Sequence, residues 1–379
     1  MARSWSVYWP SLEGIFEFAN EAIVTVDSDG LIVLFNPAAE KIFEYGQDEL
    51  LGRSMEVLIP QSLRSLHAHH VRTFLASPEV GRHMGHREEI VGRRRDGSTF
   101  PAKASILKST LPGGKLLLTV ILQDISRQRD HRALEDSVRI SRLTQLHFFP
   151  ESLPHLQGVE LAAVNIPSEV ISGDYYDFFK IVEGHWGLVI GDVAGKGIPA
   201  GLMMSAFRAS LLAEVRNNYA VSTILTKVND LLWETTSGNR FVTAFYGVFD
   251  ERHRMLTYCN AGHNFPILLR QDGSLQELET GGILLGAFQG SQYEEGHLML
   301  SSGDLLLFYT DGLTEALDED GKELGRAILP GLLRELSAGS ASEIAEELVA
   351  YLSRASAEHK PADDVSLIVM KMKDLADRP

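Results

Sequence analysis

The sequence of 379 residues holds a single cysteine, Cys259, so no disulfide can form within the chain. Long apolar runs are also missing. Leu116 to Leu122 falls far short of the roughly 20 residues of a membrane span, and the opening Met1-Ala2-Arg3-Ser4-Trp5 has no apolar signal core. A cytoplasmic protein with no membrane contact is expected. Positive charge is scarce: 35 Lys and Arg stand against 51 Asp and Glu, a net charge of −16. That balance argues against a nucleic-acid or anionic-membrane binder held by phosphate contacts. With 44% hydrophobic and 23% charged residues, the composition is that of a globular protein, and the length suits two or three domains.

The acidic excess is localised. Residues 1–125 carry 13 basic and 15 acidic side chains, residues 126–150 carry 5 and 3, and residues 151–379 carry 17 and 33, so the last part alone accounts for −16. A solvated acidic surface explains most of it; carboxylates gathered around metal would explain the remainder.

In the first part, Ala22-Ile23-Val24-Thr25-Val26, the turn Asp27-Ser28-Asp29-Gly30 and Leu31 to Phe35 read as a β-hairpin. Pro37-Ala38-Ala39-Glu40 opens a helix, with proline tolerated in its first turn. A His-rich helical segment follows, then strand-like runs at Glu88 to Arg95, Thr99 to Lys108 and Lys115 to Gln123, joined by Asp96-Gly97-Ser98 and Leu111-Pro112-Gly113-Gly114. This order, with Asn36-Pro37-Ala38-Ala39-Glu40, Asp48-Glu49-Leu50-Leu51-Gly52, Arg95-Asp96-Gly97-Ser98-Thr99-Phe100-Pro101 and Asp124-Ile125-Ser126, resembles a PAS sensor domain over residues 10–125. PAS domains of the oxygen-sensing type hold haem through one histidine, which makes haem one candidate ligand given His67, His69, His70, His83 and His86. A histidine cluster on an arginine-rich helix is more often a solvated face, so the sensor's ligand is left unknown.

Residues 126–149 read as a helical connector, with Ser126 as N-cap and no glycine or proline before Pro150. Leu134, Val138, Leu143 and Leu146 give an apolar stripe. Either a short dimeric coiled coil or an amphipathic helix packed on a neighbouring domain satisfies it, the first implying a homodimer through sensor and connector.

After residue 150, aspartates stand at the ends of strongly apolar strands. Asp192 follows Trp186-Gly187-Leu188-Val189-Ile190, Asp311 follows Leu305-Leu306-Leu307-Phe308-Tyr309, and Asp363-Asp364 precede Val365 to Met370; Asp174 opens a further strand-rich stretch. Carboxylates gathered at the rim of a core repel one another unless a cation neutralises them. Oxygen ligands suit magnesium or manganese rather than zinc, and two such ions support hydrolysis at phosphorus.

The stretches Pro150-Glu151-Ser152-Leu153-Pro154, Gly173-Asp174-Tyr175-Tyr176-Asp177, Gly191-Asp192-Val193-Ala194-Gly195-Lys196-Gly197-Ile198-Pro199-Ala200, Phe241 to Gly247, Asn260-Ala261-Gly262-His263-Asn264, Tyr309-Thr310-Asp311-Gly312-Leu313-Thr314-Glu315 and Asp363-Asp364-Val365-Ser366 resemble, in order, a PPM (protein phosphatase 2C-like) serine/threonine phosphatase of the SpoIIE/RsbU type over residues 150–373. The resemblance implies an α+β chain in which a PAS fold and connector precede an α/β/β/α sandwich. It implies two Mn2+ or Mg2+ ions bridged by Asp192, with the Val193 carbonyl and Asp174 on one ion, Asp311 and Asp363 on the other, and Asp364 as the second acid of its pair. Asp192 and Asp311 are the residues on which catalysis is expected to turn. Ser172 departs from the glycine usual there, and Leu324 from the usual aromatic. Lys196 is a candidate phosphate contact, equally readable as solvated; His263 is a candidate general acid, more often a structural turn histidine. The implied function is a sensor-regulated phosphatase acting on a phosphorylated anti-sigma-factor antagonist of the STAS type. A non-catalytic partner-binding module and a two-metal hydrolase of another phosphate ester are the rivals.

Overall fold

The computed structural model of the chain describes residues 9–84, 90–218, 220–236, 240–317, 323–355 and 363–373. Two compact units divide between Glu135 and Asp136.

The first unit runs α1 (Trp9–Phe18), β1 (Ala22–Asp27), β2 (Ile32–Phe35), α2 (Pro37–Phe43), α3 (Gln47–Leu50), α4 (Arg64–Ala76), β3 (Gly81–Met84), β4 (Ile90–Arg93), β5 (Thr99–Thr110) and β6 (Leu116–Asp124). Asp27 builds the hairpin turn, its Oδ1 accepting from the N–H groups of Asp29 and Leu31. Asn36 is fully buried and caps α2 by accepting from Ala39 N–H, while its amide donates to the carbonyls of Phe16 and Glu21. The sheet order is β2-β1-β6-β5-β3, with β4 also on β5. Strand β3 was not expected: beyond Pro78 the chain pairs with the edge of β5 rather than continuing as helix. The expected strand from Glu88 is described only as Ile90–Arg93, and His86, Glu88 and Glu89 lie outside the described residues.

Helix α5 (Ser126–Leu146) follows one residue after β6. Its first N–H donates to Asp124 Oδ1, so the cap comes from Asp124 rather than Ser126. The expected apolar stripe is not a buried face. Leu134, Leu143 and Leu146 are 59, 55 and 47% exposed, and the buried residue of the helix is Gln145.

The second unit continues with β7 (Val159–Ile166), β8 (Tyr175–Val182), β9 (His185–Val193), α6 (Gly197–Val215), α7 (Val221–Thr236), β10 (Val242–Asp250), β11 (Met255–Ala261), β12 (Ile267–Leu269), β13 (Leu275–Glu277), β14 (Gly281–Gly282), β15 (Gly296–Met299), β16 (Leu305–Tyr309), α8 (Leu329–Leu336), α9 (Ala341–Ala355) and β17 (Val365–Met372). One sheet is ordered β14-β11-β10-β9-β8 with β15 on β11; the other is β13-β12-β16-β17-β7. All pairings are antiparallel except β11 with β14. Three cores stack in layers. Met204, Phe207 and Leu225 pack α6 and α7 onto the first sheet; Ile190, Phe245, Phe308 and Ile368 fill the space between sheets; Leu333, Ile344 and Leu348 pack α8 and α9 onto the second sheet. This is the expected α/β/β/α sandwich. By length and composition α6 passes as a membrane span, an exception to the reading that no stretch comes near, but Met203, Met204, Phe207, Leu211 and Val215 along it are buried in the first of these cores.

Register brings the acidic strand ends together. Tyr175 pairs with Gly191 and Tyr309 with Leu367, so Asp174 starts beside Asp192 in one sheet, and Asp311 ends beside Asp363 and Asp364 in the other. The turn after Asp311 depends on Gly312, where a Cβ would stand 2.1 Å from the carbonyl oxygen of Asp364. Gly312→Ala is expected to lower the melting temperature by roughly 5 °C or more through this backbone collision. A calorimetric scan matching the parent protein would refute it.

Candidate metal centre

Asp174 is buried immediately before β8, and its Oδ2 accepts from Thr310 Oγ1 at 2.7 Å. Thr310, itself fully buried after β16, accepts in turn from Ser366 N–H at 2.8 Å, so one hydroxyl links the two sheets at the site. Asp192, near the end of β9, shares a hydrogen bond with Asp174. Burial and the charges of Asp311 and Asp363 push the Asp192 carboxyl up to about 7. Burial, with Asp192 beside it, raises Asp174 in the same sense, and burial plus Asp363 raises Asp311. The carbonyl of Val193 faces Gly173 across a gap that leaves a Cβ there only 3.2 Å away.

Asp311, Glu315 and Asp363 offer oxygens within 4.8 Å of one another. Glu315 was missed in the sequence. Its signal is the four-residue spacing from Asp311 on a tight helical turn, closed by Glu315 N–H donating to the Asp311 carbonyl at 2.8 Å. The two acids before β17 differ sharply. Asp363 is half-buried and pairs with Lys196 Nζ at 3.0 Å. Asp364 is buried with both oxygens engaged: Oδ1 accepts from Ser168 N–H and Oγ, Oδ2 from Ser172 Oγ and Gly173 N–H, at 2.7–2.9 Å. Four donors fill the acceptor sites of one carboxylate. Ser172, the departure from glycine, thereby adds a strut: its hydroxyl donates to Asp364 and accepts from Asp174 N–H at 3.1 Å.

His263 is 3% exposed, its Nδ1 lies 3.0 Å from Thr243 Oγ1, and burial holds it neutral, with its pKa lowered to about 4. Leu324 packs against the core beneath α8 and α9.

A family model described as Stage II sporulation protein E (SpoIIE) matches residues 182–373, just over half of the chain. The chain belongs to the SpoIIE family. A PAS fold model matches residues 11–125 of this SpoIIE-family chain. Phosphoserine phosphatase RsbU of Bacillus subtilis is 29% identical over 241 residues, 63% of this chain and 71% of RsbU. Sensor protein FixL of Bradyrhizobium diazoefficiens is 28% identical over 161 residues, 41% of this chain and 31% of FixL. Among solved structures, the SiaA-PP2C domain of Pseudomonas aeruginosa superposes with a TM-score of 0.58 at 22% identity, over 66% of this chain and all of that one, a likeness of fold.

The sensor unit contains a solvent-open cavity of about 750 Å³. Val24, Phe43, Leu58, Phe74, Ile106 and Leu118 are among its apolar lining, and His67 and His70, one turn apart on α4, face it. The expectation of a solvated histidine face therefore fails for His67, which is half-buried and whose pKa is lowered by burial and by His70.

The carboxylate cluster makes the metal-free protein sensitive to pH. Asp192 keeps its proton up to about pH 7 when folded, whereas an unfolded aspartate loses it near pH 4. Its contribution to stability is complete below about pH 4 and is lost as pH rises towards 7. In the presence of a chelator, the melting temperature is expected to fall from pH 5 to pH 7.5. Asp192→Asn should flatten that slope and raise the value at pH 7.5, by roughly 2–4 °C for each kcal/mol of repulsion relieved. A slope unchanged by the substitution would contradict this assignment.

Proposed function

We propose that the chain is a manganese- or magnesium-dependent phosphatase of phosphoserine and phosphothreonine proteins, regulated by its PAS sensor. The observation that carries this reading is the convergence of Asp174, Asp192, Asp311 and Asp363 from two sheets, with carboxyl groups that repel one another as they stand. An all-oxygen donor set with excess negative charge fits hard divalent cations. Asp174, Asp192 and the Val193 carbonyl would hold one ion, and Asp311 and Asp363, with Glu315 beside them, the other. Bound there, the pair of ions supplies a hydroxide nucleophile at neutral pH and neutralises phosphoryl oxygens. Thr310 fixes the Asp174 carboxylate, and Asp364 braces the loop that carries it rather than serving as a ligand. Lys196 stands 43% exposed at the rim as a cation for the phosphoryl group, and His263 supports Thr243 from inside the fold.

The substrate is a phosphorylated anti-sigma-factor antagonist of the STAS type, a reading supported by the similarity to RsbU. The exposed leucines of α5 support a homodimer along the connector. For the sensor, the cavity favours haem: its volume is within the range of cofactor pockets, its lining is apolar, and His67 presents an imidazole kept neutral for ligation. Haem held by His67 would supply a gas-binding iron.

Manganese-dependent release of phosphate from a phosphoserine protein or an aryl phosphate is expected, with a loss of at least about a hundredfold in Asp192→Ala and in Asp311→Ala. Full activity in both variants would remove the mechanism. Purified sensor-bearing protein is expected to show a Soret band that His67→Ala abolishes; a colourless protein reconstituted without effect by added haem would exclude that ligand.

A further inference from the structure

Arg240 lies two residues before Val242, where β10 begins. Val242 pairs with Val193, so the register carried two residues further sets Arg240 opposite Gly195. The backbone pairing does extend that way: Ala194 N–H donates to the Phe241 carbonyl at 3.1 Å. Gly195 has a φ of 105°, and Arg240 Nη1 stands 3.7 Å from where its Cβ would be. The guanidinium therefore lies against the loop that runs from Asp192 to Lys196.

The backbone of Arg240 is held while its side chain is uncommitted. Its carbonyl accepts from Thr236 Oγ1 at 3.4 Å. Among the described residues, the half-buried guanidinium makes no ion pair and donates no hydrogen bond. Acids are not scarce, since residues 151–379 carry 33 of them against 17 basic side chains. Lys196, the other cation of this loop, reaches the acidic cluster and pairs with Asp363 at 3.0 Å. Arg240 pairs with none of the four acids proposed as ligands, which places it beside the centre rather than within it.

A guanidinium with its fork of donors unoccupied matches a carboxylate in charge and geometry. Here that carboxylate has to come from outside the chain. We propose that Arg240 is a specificity-determining residue that binds an acidic side chain flanking the phosphoserine of the substrate protein. This deepens the phosphatase reading above and rests on it. The negative charge of the unit repels an acidic substrate, and Arg240 offers its flank a point of attraction next to the centre.

The test uses the full chain with Mn2+ and three phosphoserine peptides of one sequence, flanked by glutamate, glutamine or lysine. An aryl phosphate serves as the substrate with no flank. The parent is expected to favour the glutamate peptide over the glutamine peptide about tenfold in kcat/KM, and Arg240→Gln to bring that ratio to about one. Arg240→Glu should favour the lysine peptide instead. If Arg240→Gln does not fold, as judged by its melting, Arg240→Met carries the same expectation. A parent that hydrolyses aryl phosphate without preference among the peptides overturns the proposal, as does a ratio unchanged in Arg240→Gln. An equal loss on aryl phosphate also overturns it, because Arg240 would then serve the phosphoryl group. A parent that hydrolyses neither the peptides nor the aryl phosphate refutes the phosphatase reading itself.

Discussion

Mutual repulsion among carboxylates at one end of the sandwich is the constraint around which the second unit is organised. Asp174, Asp192 and Asp311 are each raised by burial and by a neighbouring carboxylate, Asp192 beside Asp174, Asp311 beside Asp192 and Asp363 beside Asp311, an arrangement that costs stability until a cation neutralises it. The rest of the fold holds these groups in place against that force. The interior between the sheets is closed by Ile190, Phe245, Phe308 and Ile368, so the strands that carry the acids cannot splay without uncovering a core.

The bracing around the cluster is polar and cross-connected. Thr310 ties the second sheet to Asp174 of the first, and Asp364 ties the start of β17 to the loop before β8. Each hydrogen bond compensates a buried group that would otherwise stand unpaired. The result is a site in which four acids, Asp174, Asp192, Asp311 and Asp363, face one another while a fifth, Asp364, adjacent in sequence to Asp363, is saturated by protein donors. Lys196, paired with Asp363, supplies a positive charge from within the chain.

Much of this was legible in the sequence, and for a definite reason. An apolar strand bounded by aspartate shows both a buried element and a polar rim, so the acids at 192, 311 and 363 could be picked out individually, with Asp174 at the opening of a further strand, and the turn chemistry at Asp27 and the proline at 37 marked the sensor's hairpin and the start of its next helix. What escaped reading was pairing. The partners of Asp364 lie 191 to 196 residues away and that of Asp174 lies 136 away, and a single sequence holds no record of such meetings. Gln145 escaped for the opposite reason: hydrophobic periodicity pointed to the leucines of α5, and the residue that is buried is polar. The histidines of α4 were likewise read as one face, although the helix turns His67 into the cavity and leaves His69 exposed.

The division of labour between Asp363 and Asp364 follows from their place ahead of β17: Asp364 directly precedes the strand, whereas Asp363 lies one residue further back, at a bend. Strand β17 is locked to β7 over eight residue pairs, from Val365 with Ile166 to Met372 with Val159. The difference between an acid left open for a cation and an acid consumed in bracing is therefore written in counting, not in residue type. One residue inserted between Asp364 and Val365 would carry Asp364 away from the position that meets Ser168, Ser172 and Gly173, although every acid and every motif residue would still be present in order.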